Sequence, residues 1–474
     1  MTPRENLPVT TTLTDAALDS LTGIVGAGNV LADADSLDRY TGDSLSPSRA
    51  FGAAGAFERL ADVVVRPGSA AEVSGVVRWA NAHRVPIIPY GGGTGVMGAV
   101  VPEQGGLVLD VKRMNRVLDV DAGSLTARVE AGIVLGDLEA ILAEHGLMIG
   151  HDPYSVPIAT IGGTISTNGV GYRACAHGPM GEQVVGLEAV LPDGRVIETR
   201  DIPKYSSGPN LNHLFIGAEG VLGVITRATI RIFRIPECAQ FASVGFDSFD
   251  EGFNAASEML AVGIRPSLLD LTEEDDGVTL HLLFEGFTEG VQAQAERAGA
   301  ICDAAGGYSL GTEPTEHYWT FRRESAENYK LTALGQPRKV RWNRWRRRRG
   351  FDYLHVALPA SRVLEYKRRA GEILAAQGIA VAEYAIWSRP ELFSMLILPE
   401  SGDPSEARQR LARTVDRVLK LAQDMGGAME YCHGVGVKLN HLLAREQGEG
   451  HQVIRQLKQT LDPNNIMNPG KLAL

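Results

Sequence analysis

Three glycine-rich runs in one fixed order constrain this chain more than any other feature. They read Pro89-Tyr90-Gly91-Gly92-Gly93-Thr94-Gly95-Val96-Met97-Gly98, then Ile161-Gly162-Gly163-Thr164-Ile165-Ser166-Thr167-Asn168-Gly169, then Gly217-Ala218-Glu219-Gly220-Val221-Leu222-Gly223-Val224-Ile225-Thr226. Glycine lets a backbone reach positive φ and lets a bulky ligand approach the amides directly. Each run is flanked by β-branched or apolar residues. The three together predict backbone loops gathered around one large phosphate-bearing ligand.

The first run also contains Gly93-Thr94-Gly95-Val96-Met97-Gly98, the spacing of a dinucleotide-binding turn. That turn needs a strand leading in and a helix following, so that pyrophosphate sits on the helix N-terminus. Residues 85–88 read as the strand. Downstream, Pro102 and the adjacent Gly105 and Gly106 stop a helix before it starts, and 107–111 reads as another strand. The loop can bind phosphate through successive amides, but not on a Rossmann helix.

Composition narrows the class. A chain of 474 residues, 44% hydrophobic and 22% charged, reads as a soluble globular protein with ample core. A net charge of −11 argues against nucleic acid as a general partner. Cys175, Cys238, Cys302 and Cys432 form no C-x-x-C, so neither a disulfide framework nor a zinc motif is indicated. No basic-then-apolar leader and no bilayer-length apolar run stand in the sequence, and a cytoplasmic protein is expected.

Short strands and helices alternate up to about 235. There Pro192-Asp193-Gly194 signals a two-strand turn, and 132–144 an amphipathic helix. Beyond Pro236 longer helical patterns (249–261, 290–305, 360–377, 405–425) alternate with strands (279–285, 353–358, 393–398). This rhythm predicts an α+β unit in which helices cover one antiparallel sheet.

The wording of the three runs resembles the vanillyl-alcohol-oxidase-like superfamily, whose FAD domain is called the PCMH type. The resemblance extends to the 61–67 strand, the 71–81 helix and the tail Leu461-Asp462-Pro463-Asn464-Asn465 through Asn468-Pro469-Gly470-Lys471. It implies an α+β fold: a two-subdomain PCMH-type FAD-binding domain with an α+β cap. The implied division is an N-terminal helical segment and connector (1–56), the FAD-binding domain (57–235), the cap (236–430) and a C-terminal segment returning to the FAD site (431–474). Carried onto these positions, the cofactor-binding set is Pro89, Tyr90, Gly91, Gly92, Gly93, Thr94, Gly95, Gly98, Pro157, Thr160, Gly162, Gly163, Thr167, Asn168, Gly169, Gly171, His177, Glu219, Gly220, Gly223, Val224, Ile225 and Lys471. No histidine or cysteine lies within 89–98, so non-covalent FAD is expected, with Cys432 and His177 as the residues that could overturn it.

Two branches compete. Residues 203–213, 241–246, 265–270 and His433-Gly434-Val435-Gly436 resemble alkylglycerone-phosphate synthase. Its histidine cluster is reduced here to Tyr431-Cys432-His433, and the strand 392–398 lacks its tyrosine. D-lactate and glycolate dehydrogenases form the other branch. Their His-x-x-Asp-Gly-Asn-x-His stretch is absent and Cys432 stands where their carboxylate precedes the histidine, so no metal is predicted.

A flavin that accepts a hydride requires a protein that orients the substrate C–H, takes the hydroxyl proton and stabilises the developing charge. His433 is the candidate base, since histidine titrates near neutrality and glycines at 434 and 436 would let a ring come close; the alternative is a histidine that only hydrogen-bonds cofactor or cap. Arg322 is the second catalytic candidate, a fork of donors suited to a carboxylate, phosphate or flavin carbonyl, against a surface ion pair. Lys471, or Lys438, is the candidate cation near the flavin pyrimidine.

The run 338–349 packs eight cations and two tryptophans into twelve positions. A solvated face, an anionic substrate or acidic partner, and a membrane surface all fit it. The expected activity is oxidation of a C–OH group in a hydroxy acid or polar alcohol, with oxygen, a quinone or a protein as electron acceptor, in a homo-oligomer. The alternatives are a transferase of the alkylglycerone-phosphate-synthase type using FAD without net redox, and a flavin-loaded binding or assembly protein.

Overall fold

A run of three valines opens the first sheet. Val63–Val65 is buried at every residue, the pattern of a strand covered on both faces. In the computed structural model, which describes residues 13–343 and 349–474, this sheet comprises β1 (Val30–Leu31), β2 (Val63–Val65), β3 (Ile87–Tyr90) and β4 (Leu107–Asp110), ordered β1-β2-β4-β3. β2, β4 and β3 run parallel, so the chain needs a crossover, which the helix Ala70–His83 supplies. Ser69 caps that helix by accepting from the Glu72 amide (3.2 Å), and Arg84 ends it in the left-handed region. The chain's end returns to this sheet: the Ile87 amide donates to Ile466 (2.6 Å) and the Asn468 amide to Ile87 (2.8 Å).

The second sheet is antiparallel. It comprises β5 (Val117–Asp121), β6 (Thr126–Glu130), β7 (Leu147–Ile149), β8 (Val184–Val190), β9 (Val196–Glu198) and the long β10 (Val224–Arg234), ordered β5-β6-β10-β8-β9 with β7 also on β10. The turn signal at 192–194 joins β8 to β9, with Gly194 at φ +84°. The helix expected over 132–144 spans Leu135–Ala143, capped at Val134 without a side-chain bond.

The third sheet comprises β11 (Cys238–Phe246), β12 (Leu268–Glu274), β13 (Gly277–Gly286), β14 (Tyr308–Gly311), β15 (Asp352–Ala357), β16 (Ile379–Trp387) and β17 (Leu392–Pro399), in the order β14-β11-β13-β12-β16-β17-β15. All its pairings are antiparallel. Alternate residues on its strands (Leu269 and Leu271, Leu280 and Leu282, Leu354 and Val356, Phe393 and Met395) share one core with Phe249 and Phe253, Val291, Val363 and Tyr366, and Leu411 and Val415 from four helices. Those helices therefore cover one face. The intervening residues Ser243, His281, Asp270, Trp387, Ser394, His355 and Tyr353 belong to the other face, by the two-residue period of a strand. The fold is α+β, with this sheet as the cap.

Candidate active site

The glycine runs are built to pack against one another. A Cβ on Gly91 would strike the Thr160 side chain, one on Gly92 the Ile158 carbonyl, and one on Gly220 would lie 2.8 Å from Pro89 Cγ. Loops that close together enclose a cavity lined by every residue from Pro89 to Val96, by Thr160, Gly162, Gly163, Thr167, Gly169 and Gly171, and by Glu219, Gly220, Gly223, Val224 and Ile225. Among the described residues, none receives a hydrogen bond from the amides of Gly92 through Val96. Consecutive unpartnered N–H groups on a cavity wall form a nest for an anion. The cradle therefore fits a phosphate-bearing cofactor.

Other expected ligands lie outside the cavity wall. Gly98 backs onto Val437, where a Cβ would come within 2.7 Å of Cγ2. Pro157 is not among the lining residues, and the Asn168 carboxamide accepts from the Gly181 amide (2.9 Å). His177 packs at a tilt against Phe233, with ring centroids 4.0 Å apart. Lys471 is fully buried and donates to the Val101 carbonyl (2.9 Å) and to Glu103 (3.1 Å).

Arg322 is likewise held elsewhere. Its guanidinium lies over the Trp319 ring (3.7 Å) and donates to Asp152 (Nη2–Oδ2 3.0 Å). Arg173 and the adjacent Arg323 bind the same carboxylate. Burial works to raise the Asp152 pKa, but the three guanidinium groups prevail and hold it below the usual value. Arg173 also pairs with Glu285 on β13 (2.8 Å), so the cluster clamps cap to FAD domain.

His433 lines the cavity, as does Cys432. The Glu430 carboxylate organises the turn beneath them, accepting from the amides of Cys432 (2.7 Å) and His433 (2.9 Å). Its Oε1 also lies 3.4 Å from His433 Nδ1, close enough for charge attraction but off the line of a hydrogen bond. Burial opposes charge on this ring, yet the negative charge of a Cys432 thiolate and of the Glu430 carboxylate outweighs it and raises its pKa to about 10. The glycines at 434 and 436 have another purpose than admitting a flavin. At φ +82° and +51°, they abut Glu219 and the Met97 carbonyl, where a side chain would collide. The Gly436 amide donates to Glu219 (3.0 Å), tying the histidine turn to the third glycine run.

The sequence reading missed His355. It lies on β15 with its ring centroid 4.6 Å from that of His433, and it lines the same cavity. Its Nδ1 is hydrogen-bonded to Ser394 (2.8 Å), which is bonded in turn to Tyr431 (2.8 Å). Burial and the neighbouring charge of His433 push its pKa well below the usual value. Tyr353, two residues earlier and on the same face, also lines the cavity.

Arg49, from the stretch read as a connector, reaches the cavity too. Its guanidinium sits over Phe351 (4.6 Å) and 3.3 Å from Asp352. Asp352 is already paired with the buried Lys438 (2.6 and 2.8 Å). One carboxylate thus serves two cations and leaves a net positive charge at this wall. Removing it strands a buried ammonium, so Asp352→Asn is expected to lower stability by about 3–5 kcal/mol. A urea melt would show this as a reduced midpoint; an unchanged midpoint would mean that the Lys438 charge is compensated elsewhere.

Comparison with known proteins now decides the family. Residues 61–200 match the family described as FAD binding domain, and residues 235–472 that described as FAD linked oxidases, C-terminal domain. The chain belongs to the PCMH/vanillyl-alcohol-oxidase-type FAD-linked oxidoreductases. It is 32% identical over 435 residues to a D-lactate dehydrogenase of Archaeoglobus fulgidus, covering 87% of this chain and 91% of the relative. It is 29% identical over 435 residues to the glycolate oxidase subunit GlcD of Bacillus subtilis, covering 88% and 90%. The fold matches a solved alkyldihydroxyacetonephosphate synthase at a TM-score of 0.75 and 21% identity, over 99% of this chain and 88% of that one. This FAD-linked oxidoreductase is an enzyme of the oxidase/dehydrogenase kind, and FAD is its non-covalent cofactor. Among its described residues, no helix is long and apolar enough to cross a membrane.

Proposed function

We propose that this FAD-linked oxidoreductase oxidises the C–OH group of a hydroxy acid or polar alcohol. The observation that carries the reading is the His433–His355 pair, which shares a cavity with the glycine cradle and with Arg49. FAD, when bound, supplies the acceptor for the hydride. His433 takes the hydroxyl proton once it is itself deprotonated. His355, kept neutral by burial and anchored through Ser394, positions that ring. Arg49 attracts an anionic group on the substrate, the net charge at its wall being positive. The relatives, a D-lactate dehydrogenase and a glycolate oxidase subunit, support an acid of this class. Oxygen, a quinone or a protein then takes the electrons.

Anaerobic mixing of the holoenzyme with a panel of hydroxy acids and alcohols tests this. Loss of the flavin absorbance with at least one is expected; a flavin left oxidised by all of them would reject the reading. A second reading keeps some support from His355 and Tyr353, which restore a histidine and a tyrosine that the sequence reading did not find beside His433. Acyl-to-alkyl exchange on a phosphorylated ketone without flavin bleaching would identify it.

The Arg/Trp run is partly absorbed into the fold. Residues 344–348 lie outside the described residues. Arg338 pairs with Asp38 (2.9 Å), Arg341 is buried and donates to the Arg39 carbonyl (2.7 Å), and Trp342 packs edge-on against Phe57 (5.5 Å).

A further inference from the structure

Beyond the histidines, a carboxyl group in the cavity has no assigned work. Asp270 lies on β12, directly across from His281 on β13 and Trp387 on β16. Its side chain is buried at 1% exposure and lines the cavity. Oδ2 accepts from the Tyr318 hydroxyl (2.7 Å), and Tyr318 is fixed by stacking on His281 (5.0 Å). Oδ1 has no partner among the described residues. The nearby Ser388 amide hydrogen-bonds the Leu269 carbonyl (2.7 Å) and, lying close to this carboxyl as well, favours its ionised form without satisfying Oδ1. Burial pushes the Asp270 pKa up to about 7, so the group is poised between acceptor and donor.

A buried polar oxygen without a hydrogen bond is costly, and native sites fill such positions with ligand or water. The cavity wall at this end also holds Tyr172, Tyr353 and Trp387, whose rings can pack against the C–H face of a hydroxylated chain. An ionised carboxyl here repels a second carboxylate. It would bind a hydroxyl well.

We infer that Oδ1 of Asp270 binds a substrate hydroxyl other than the one oxidised, so that the preferred substrate is a polyhydroxy acid rather than a lactate- or glycolate-like acid. The inference rests on the hydroxy-acid reading above and refines it.

Equilibrium binding tests it without turnover. The anaerobically reduced holoenzyme, which cannot accept a further hydride, would be titrated with matched acids that differ only in hydroxylation: both enantiomers of lactate against glycerate, and 2-hydroxyhexanoate against gluconate, followed by tryptophan fluorescence. In at least one pair the hydroxylated member is expected to bind about ten- to a hundredfold tighter, the worth of a hydrogen bond to a charged group. Asp270→Ala should abolish the preference, while Asp270→Asn, which keeps an acceptor, should retain part of it. No preference in the wild type, no binding by any of the four acids, or a preference that survives in Asp270→Ala would each overturn the inference. Loss of FAD from Asp270→Ala would also overturn it, because the oxygen would then serve the cofactor. Tight, selective binding to the reduced enzyme, with none of these acids bleaching the oxidised one, would reject the oxidation reading and leave the hydroxyl subsite standing.

Discussion

His433→Ala is expected to keep its FAD and to slow anaerobic flavin reduction by about 10²–10⁴-fold, the usual worth of a positioned base. The ring lies outside the glycine cradle, so cofactor binding should survive. Its raised pKa gives a second readout. Only the neutral imidazole accepts a proton, and Glu430 with Cys432 keeps the ring charged until the pH approaches about 10. The wild-type reduction rate should therefore climb through the alkaline range, as the neutral fraction grows, and level off above the His433 pKa. The variant should lose that rising limb along with the rate. A purely structural histidine would lower the rate while leaving the shape of the profile intact. Single-turnover reduction that proceeds at the wild-type rate would remove His433 from the chemistry altogether.

How much of this was legible in the sequence depends on whether the signal was local. The helix Phe249–Ala261 falls on the expected bounds because its start is written locally: Ser248 and Glu251 form a reciprocal capping box. The glycine runs were legible for a similar reason, since positive φ and close backbone approach leave no other residue acceptable. Their partners were not. Glycines 434 and 436 answer to Glu219 and Met97, residues far off in the chain. Arg322 has the right chemistry for a site, but Asp152 captures it from 170 residues away, and nothing near either residue announces the pairing. His355 was recoverable in part. The strand over 353–358 was expected, and its alternation puts Tyr353 and His355 on one face; what was missing is that helices cover the opposite face and leave these two toward the cavity. Arg49 had no signal, lying in a small-residue stretch between the first helices and the first parallel strand.

Gly93→Val carries the largest expected effect on the cofactor: purified protein with little FAD, and an affinity lower by on the order of a hundredfold or more, about 2.7 kcal/mol. The physical reason differs from a side chain standing in the pyrophosphate's way. Gly93 sits at φ +65°, and a Cβ there would run into the Tyr90 hydroxyl and come within 2.8 Å of its Cζ. Tyr90 cannot yield easily, since it is 4% exposed, packed edge-on against Tyr40 (5.1 Å) and covered by the Lys112 ammonium (4.8 Å). A β-branched residue is also a steric outlier at positive φ. The loop must therefore shift, and the unpartnered amides from Gly92 to Val96 shift with it, away from a common focus. Gly299→Ala provides the control. That glycine lies in the helix Thr288–Ala304 with nothing within 4 Å of an added Cβ, so FAD content should be unchanged and stability equal or slightly higher. A Gly93→Val protein that comes off the column fully yellow, with wild-type FAD affinity, would show that the cradle of amides is not where the cofactor's phosphates bind.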